Sequence, residues 1–238
     1  MRWFVPDFSR RATTAELMDD PDLPEADVRA ALDDLRRINH YFGVTATVRR
    51  HLFTLIHRHR LMEAWVLDVA TGAADIPQAL VDHARRKGLA VHLVALDRGQ
   101  MMIKIARTKL AENPEISLVR ADALALPFPD DSFDFAIVSE FLHHLTWEQA
   151  VLFLRRLRKI VRVAFIIHDL HRHPVAYYGF WVLSRLLFRS RLVRHDGPVS
   201  FLRGFTEEDV ERLKQASGLD NLVLYRHFPY RLVIVGTK

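Results

Sequence analysis

Hydrophobic and polar positions change their rhythm once along this chain of 238 residues, near Trp65. Before that point the spacing is helical. Glu16-Leu17-Met18-Asp19-Asp20-Pro21 reads as a helix that ends ahead of a proline, and Pro24-Glu25-Ala26-Asp27 opens another. Ala31, Leu32, Leu35, Ile38 and Phe42 then recur at helical spacing, with Asp33, Asp34, Arg36 and Arg37 on the other face. Gly43 separates a further helix whose stripe is Val48, Leu52, Leu55 and Ile56. From Trp65 onward, short apolar runs alternate with helical segments, the pattern of an α/β fold with a doubly wound, mostly parallel sheet. Predicted strands cover 65–69, 90–96, 116–119, 135–139 and 164–167, and predicted helices cover 76–87, 100–112 and 147–160. A capping box, Thr206-Glu207-Glu208-Asp209, opens a last helix that closes at Gly218, and 222–228 with 232–235 form a terminal hairpin. The expected division is an N-terminal helical segment or lid, 1–60, and a Rossmann-like domain, 61–238. Within the latter, 171–205 is an aromatic and basic insertion carrying Tyr177, Tyr178, Phe180, Trp181, Phe188 and Phe201, too long for a plain connector.

Composition narrows the setting. Half of the residues are apolar, yet no run approaches the ~20 needed to span a bilayer, and the first residues lack a signal-peptide pattern, so a soluble, cytoplasmic protein is expected. Zero cysteines exclude disulfides, thiolate metal sites and a cysteine nucleophile. A net charge of +5 fits nucleic acid, anionic lipid or an anionic substrate as a partner. It fits a solvated surface better, because the arginines are spread along amphipathic segments.

Candidate chemistry sits where the predicted strands end, since ligands of such sheets bind outside the carboxyl ends of the strands. The first strand runs into Asp68-Val69-Ala70-Thr71-Gly72-Ala73-Ala74-Asp75, in which Gly72 permits a sharp strand-to-helix turn. The following helix would aim free amide groups at whatever lies over that turn. Asp97 ends the second strand and can accept from both hydroxyls of a ribose. Asp122, after the third strand, can accept from an adenine amine, with Ala123 against the ring. Each acid alone also reads as a loop acid or helix cap. Together they suggest an adenosine, and Ala73 and Ala74 leave less room for a diphosphate than a G-x-G-x-x-G turn would.

These residues resemble class I S-adenosylmethionine-dependent methyltransferases over roughly 65–238. Val66-Leu67-Asp68-Val69-Ala70-Thr71-Gly72 looks like the first motif of that family, and Asp97-Arg98-Gly99-Gln100-Met101-Met102 looks like the second. The run from Ala121-Asp122-Ala123 through Leu126-Pro127-Phe128-Pro129 to Phe133-Asp134 is similar to the quinone-biosynthesis methyltransferases. The resemblance implies S-adenosylmethionine as cofactor and a seven-stranded sheet of order 3-2-1-4-5-7-6. It also implies a cofactor site of Asp68, Ala70, Thr71, Gly72, Ala73, Asp97, Arg98, Met102, Asp122, Ala123, Ser139 and Glu140. Two departures stand out: Ala74 occupies a position where the family commonly has glycine, and Gly99 one where serine is frequent.

Methyl transfer from a sulfonium needs the nucleophile held in line and, for a phenol or enol, its proton removed. Histidine suits that task at neutral pH. Candidates are His143 and His144 after the fourth strand, His168 and His171 after the fifth, and His195 beside Asp196, with Asp169 or Asp196 to orient one of them. His144, His168 and His195 are taken as the catalytic set; the alternative for each is a packed or solvated side chain. No metal is expected, because the ligand types in His168-Asp169-Leu170-His171-Arg172-His173 are too close together on one extended segment. The insertion and the helical preamble are expected to cover an apolar or aromatic small-molecule acceptor, or simply to pack as helices. The insertion is also amphipathic enough, with Arg185 and Arg189, to touch a membrane surface. An RNA methyltransferase and a non-catalytic nucleotide-binding protein remain the alternatives. Against RNA or DNA, no separate binding module is present, and Ser139-Glu140-Phe141-Leu142 lacks an N/D-P-P-aromatic run.

Overall fold

The chain is described by a computed structural model covering residues 6–238 except Pro21 and Glu112. In order it runs α1 (Glu25–Tyr41), α2 (Val44–Arg58), β1 (Glu63–Val69), α3 (Asp75–Arg86), β2 (Ala90–Asp97), α4 (Gln100–Lys109), β3 (Ile116–Arg120) and β4 (Phe133–Ser139). There follow α5 (Trp147–Ile160), β5 (Val161–Leu170), α6 (Pro174–Leu187), α7 (Arg191–Arg203), α8 (Glu207–Ser217), β6 (Leu222–His227) and β7 (Arg231–Thr237). The strands form one sheet of order β3-β2-β1-β4-β5-β7-β6, as the resemblance implies. β1 pairs in parallel with β2 and β4, whereas β7 runs antiparallel between β5 and β6.

The central strands are apolar on both sides because helices cover both faces of the sheet. Val66, Phe135, Ile137 and Ile166 meet α2 and α3 on one face; Leu67, Val69, Val138 and Ile167 meet α5 and α8 on the other. α5 starts on a capping box between Thr146 and Gln149 and buries Phe153, Leu154 and Leu157. Truncating the fully buried Phe135 to alanine would cost about 3–5 kcal/mol through lost burial and the cavity left behind.

A third cluster lies beyond the sheet. Ala31 and Ile38 of α1, Phe180 of α6 and Leu192, Val193 and Phe201 of α7 pack with Leu170 at the end of β5. α1 and the insertion therefore stand over the carboxyl ends of the strands, while α2 belongs to the core of the sheet itself. The α6–α7 contact depends on Gly197, where a Cβ would come within 2.0 Å of the Phe180 ring.

Three expected elements differ in detail. The predicted helix before Pro21 is only a 3-10 turn, Leu17–Asp19, because the Asp196 carboxylate accepts from the amides of Leu17 (2.8 Å) and Met18 (2.9 Å) and fixes the turn there. Pro21 lies outside the described residues, as does Glu112, which the predicted 100–112 helix reached; α4 ends at Lys109. β5 is longer than expected, since β7 pairs with it as far as Leu170 opposite Arg231, and His168 and Asp169 are strand residues. Among the described residues, no helix is long and apolar enough to cross a membrane.

Candidate functional site

A cavity of about 1280 Å³ lies between the strand ends and the α1, α6 and α7 cover. It exceeds the roughly 300–1,000 Å³ of a pocket for one ligand. A smaller cavity, of about 740 Å³, opens near the amino-terminal end of β1 beside Phe53, His57, Met62 and His83, at the wrong end of the strands for the acids above.

At one end of the large cavity, the turn after β1 takes positive φ at Ala70 (59°), Gly72 (57°) and Ala74 (57°). Glycine accepts that geometry freely; the two alanines hold it at a cost of about 1–2 kcal/mol each. The turn is fixed by Asp97, whose Oδ2 accepts from Gly72 N at 2.9 Å and whose Oδ1 accepts from Gly99 N at 2.8 Å. Burial pushes the Asp97 carboxyl up, and those amide donors oppose the shift. Asp122 caps the short turn Ala123–Ala125 with Oδ1, accepting from Leu124 N at 2.9 Å. Ala70, Gly72, Asp97, Arg98, Met102, Asp122, Ala123 and Glu140 line the cavity directly. Asp68 lies buried beneath the turn, where burial first, then Asp75 and Asp97, push its carboxyl up to about 7. The Thr71 hydroxyl lies beside the Asp68 carboxyl and opposes that rise, whereas Ser139 keeps a buried hydroxyl oxygen with no hydrogen-bond partner. Such an orphan at the end of β4 fits a bound polar group. Ala73 turns the other way and packs against α1.

The opposite end is a titratable network. Asp169 Oδ1 lies 2.7 Å from His143 Nδ1, while its Oδ2 accepts from His143 N at 3.2 Å. On the far side of the ring, His143 Nε2 is 3.5 Å from Glu16 Oε1. Burial works against a charge on His143, but Asp169 and Glu16 overcome it and push its pKa up to about 10. Burial likewise works against Glu16, and His143, His144 and the Ser200 hydroxyl, which donates to it at 2.9 Å, hold its carboxyl below the usual range. His144 has Nε2 3.7 Å from Glu16 Oε2 and Nδ1 3.4 Å from Asp19 Oδ1. Arg203 and Arg11 donate to the carbonyls around this turn, Arg203 to His143 O and His144 O, Arg11 to His143 O and Leu145 O. Ligand-type atoms of Glu16, His143 and His144 lie within 4.8 Å of one another, each with a partner already in the fold. Leu35, Ile38, Phe180, Leu192, Val193 and Phe201 give the same cavity an apolar wall.

The three histidines singled out from sequence are not brought together. His144 lines the cavity. His168, only 1% exposed, sits behind Glu140, with Nδ1 3.0 Å from Oε1. Burial opposes the Glu140 charge, but Arg231 and His168 hold its carboxyl low. His195 is exposed outside the cavity lining, with Nδ1 2.7 Å from Asp196 Oδ1. Glu16, Asp19 and Arg231 line the cavity without any periodicity or motif to announce them. The one available signal is the pair of acids in Glu16-Leu17-Met18-Asp19, too common a pattern to single out.

Residues 66–164 match the family described as a methyltransferase domain. The chain is 30% identical over 157 residues to the ubiquinone/menaquinone biosynthesis C-methyltransferase of Shewanella frigidimarina, covering 61% of this chain and 60% of that one. It spans about half to three fifths of the length of the curated relatives it matches. A SAM-dependent methyltransferase from Aquifex aeolicus superposes with a TM-score of 0.61 at 18% identity, covering 91% of this chain and 99% of the other. Magnesium protoporphyrin IX methyltransferase from Synechocystis, solved with bound SAH, superposes with a TM-score of 0.57 at 18% identity, covering 87% and 94%. These superpositions establish the fold.

Proposed function

We propose that the chain, whose residues 66–164 match a methyltransferase domain, is a class I S-adenosylmethionine-dependent methyltransferase that methylates oxygen or carbon of a small aromatic, polyketide or quinone-like acceptor. One observation carries this reading. A single cavity joins the Asp97 turn at one end to an apolar wall and the Glu16–His143–His144 network at the other, with room for two ligands.

S-adenosylmethionine, when bound, supplies a methyl group already activated on a sulfonium. Asp97 would accept from the ribose hydroxyls while continuing to hold the amides of Gly72 and Gly99. The oxygen of Asp122 not used for capping, with Ala123 behind it, would take the adenine, flanked by Arg98 and Met102. The turn from Ala70 to Gly72, the orphan Ser139 hydroxyl and Glu140 would hold the amino-acid end, with Thr71 kept on Asp68 and Ala73 kept against α1. Asp68 supports that turn from below.

Of the three histidines, His144 is the proposed base, because it alone lines the cavity. It would take the acceptor proton at Nε2, which at 3.7 Å from Glu16 Oε2 is beyond hydrogen-bond reach, while Asp19 at Nδ1 stabilises the resulting imidazolium. His143, held protonated between Asp169 and Glu16, fixes the turn on which His144 stands. His168 orients Glu140, and His195 supports Asp196 in tethering the Leu17–Asp19 turn. The Shewanella relative is named for C-methylation in quinone biosynthesis, which supports a ring carbon beside a hydroxyl as acceptor.

The test is transfer of labelled methyl from S-adenosylmethionine to a panel of phenols, quinols, polyketides and total RNA. Label in a phenol or quinol is expected. Label confined to RNA would replace the acceptor, and saturable cofactor binding without transfer to any class would refute the acceptor assignment.

A further inference from the structure

The outer face of α6 differs from the other helix surfaces. Val175, Tyr178, Val182 and Leu186 recur at helical spacing and are all exposed, widened by Trp181 and Leu187. Leu186 is 74% exposed and Leu187 59%, in a helix that turns Ala176, Phe180 and Ser184 inward. A stripe of this kind on a surface helix marks an interaction site. Its charges all have one sign: residues 170–195 contain no Asp or Glu and include Arg185, Arg189, Arg191 and Arg194. The Arg185 guanidinium lies 3.9 Å over the Trp181 ring and donates to the Trp181 carbonyl at 2.8 Å, so a positive charge is held directly on the apolar stripe. Arg191 is paired with Asp27, while the guanidinium groups of Arg185, Arg189 and Arg194 make no salt bridge among the described residues; the Arg189 amide donates to Asp34, and Arg194 donates to the Phe188 carbonyl.

We propose that α6 docks this face on an anionic lipid bilayer. Its 14 residues make it about 21 Å long, enough to lie in the headgroup plane and too short to cross it. Exposed Trp181 and Tyr178 with an arginine held beside them is the chemistry of that interface. A second copy of the chain is the poorer occupant, because two-fold pairing on this face would set Arg185, Arg189 and Arg194 against their own counterparts. The inner face of the same helix lines the cavity: Phe180 packs beside Leu192, Val193 and Phe201. Docking would therefore place the acceptor end next to the lipid, a route for a lipophilic acceptor that never enters water; this last step rests on the function proposed above.

The experiment is co-sedimentation of the full chain with phosphatidylcholine vesicles, with and without phosphatidylglycerol, at low and high salt. Neither cofactor nor acceptor is needed, so failure here is distinguishable from failure of the methyl-transfer reading. Binding is expected with phosphatidylglycerol and should weaken as salt screens the arginines. Leu186→Glu, outside the cavity lining, should lower partitioning roughly tenfold or more, with methylation of a water-soluble acceptor unchanged. No binding above the phosphatidylcholine background would overturn the proposal. So would a concentration-dependent dimer that Leu186→Glu dissolves, since the face would then belong to a second copy. A loss of secondary structure in Leu186→Glu is controlled by Val182→Gln, which removes exposed apolar surface without adding charge and should reduce partitioning in the same direction.

Discussion

At the cofactor end of the cavity, Asp97 holds Gly72 across 25 positions of sequence through strands that are direct neighbours in the sheet. At the proposed acceptor end, Ser200 reaches Glu16 across 184 positions and Asp196 reaches Leu17 across 179, with no sheet register to set the distance. The first region is built by backbone geometry, two amides and a carboxylate on a turn whose shape follows from β1 and α3. The second is built by side-chain charge, a chain of carboxylates and imidazoles that closes only when the segment before α1 is folded onto α7. The difference teaches that the two ends can vary separately: substitutions in the network should change the acceptor chemistry while leaving the nucleotide turn intact.

That separation can be broken or sharpened in order of expected effect. His144→Ala should lower kcat by about 10²–10⁴, the usual worth of a positioned acid or base, with the dissociation constant for S-adenosylhomocysteine little changed. Steady-state kinetics beside calorimetry checks the split, and wild-type turnover would end the assignment of His144. Asp97→Ala should do the reverse, weakening cofactor affinity roughly 100-fold or more, since it removes two charge-assisted hydrogen bonds worth about 1.5–3 kcal/mol each. Asp196→Ala, which frees the amides of Leu17 and Met18, should raise the acceptor KM roughly tenfold by loosening the turn that carries Glu16 and Asp19. Equal losses in cofactor affinity would show the two ends to be one unit.

Stability against pH separates the regions as well. Because the folded His143 pKa of about 10 lies above its ordinary 6.5, its contribution is fully present below 6.5 and is lost as pH rises through 10. Its partners Glu16 and Asp169 are held below the usual carboxylate range, so their contributions are lost as pH falls through the acid limb. Asp68 acts in the opposite sense: raised from 3.8 to about 7, it makes stability fall as pH climbs across that window. Urea midpoints should therefore decline on the alkaline side, and His143→Gln should flatten that limb and, because His143 is what holds Glu16 and Asp169 low, the acid limb as well. The smallest effect belongs to Ala74→Gly, where relief of a positive φ is offset by the lost buried methyl, leaving a change within about 1 kcal/mol in thermal unfolding.

The sheet, and the strand ends on which the proposed cofactor site stands, were legible because their signals are local. Apolar runs ending in Asp68, Asp97 and Asp122-Ala123 mark strand ends directly, and the resemblance supplied the strand order that places them together. The acceptor end was not legible. Glu16 sits in a segment whose pattern suggests a helix, and only the distant Asp196 makes it a short turn aimed at His143. His168 stood out for being next to Asp169, yet neighbours on a strand point to opposite sides, so Asp169 meets His143 while His168 meets Glu140. His195 beside Asp196 looked like an oriented base, but burial and direction, which spacing does not encode, put the ring outside the cavity lining.

The most direct test of a cavity with two separable ends is calorimetric titration with S-adenosylmethionine and S-adenosylhomocysteine of the wild-type chain, Asp97→Ala and His144→Ala. Saturable one-to-one binding is predicted for the wild type and for His144→Ala, with Asp97→Ala weakened roughly 100-fold. Absence of saturable binding to the wild type, or equal weakening in both variants, would contradict the account.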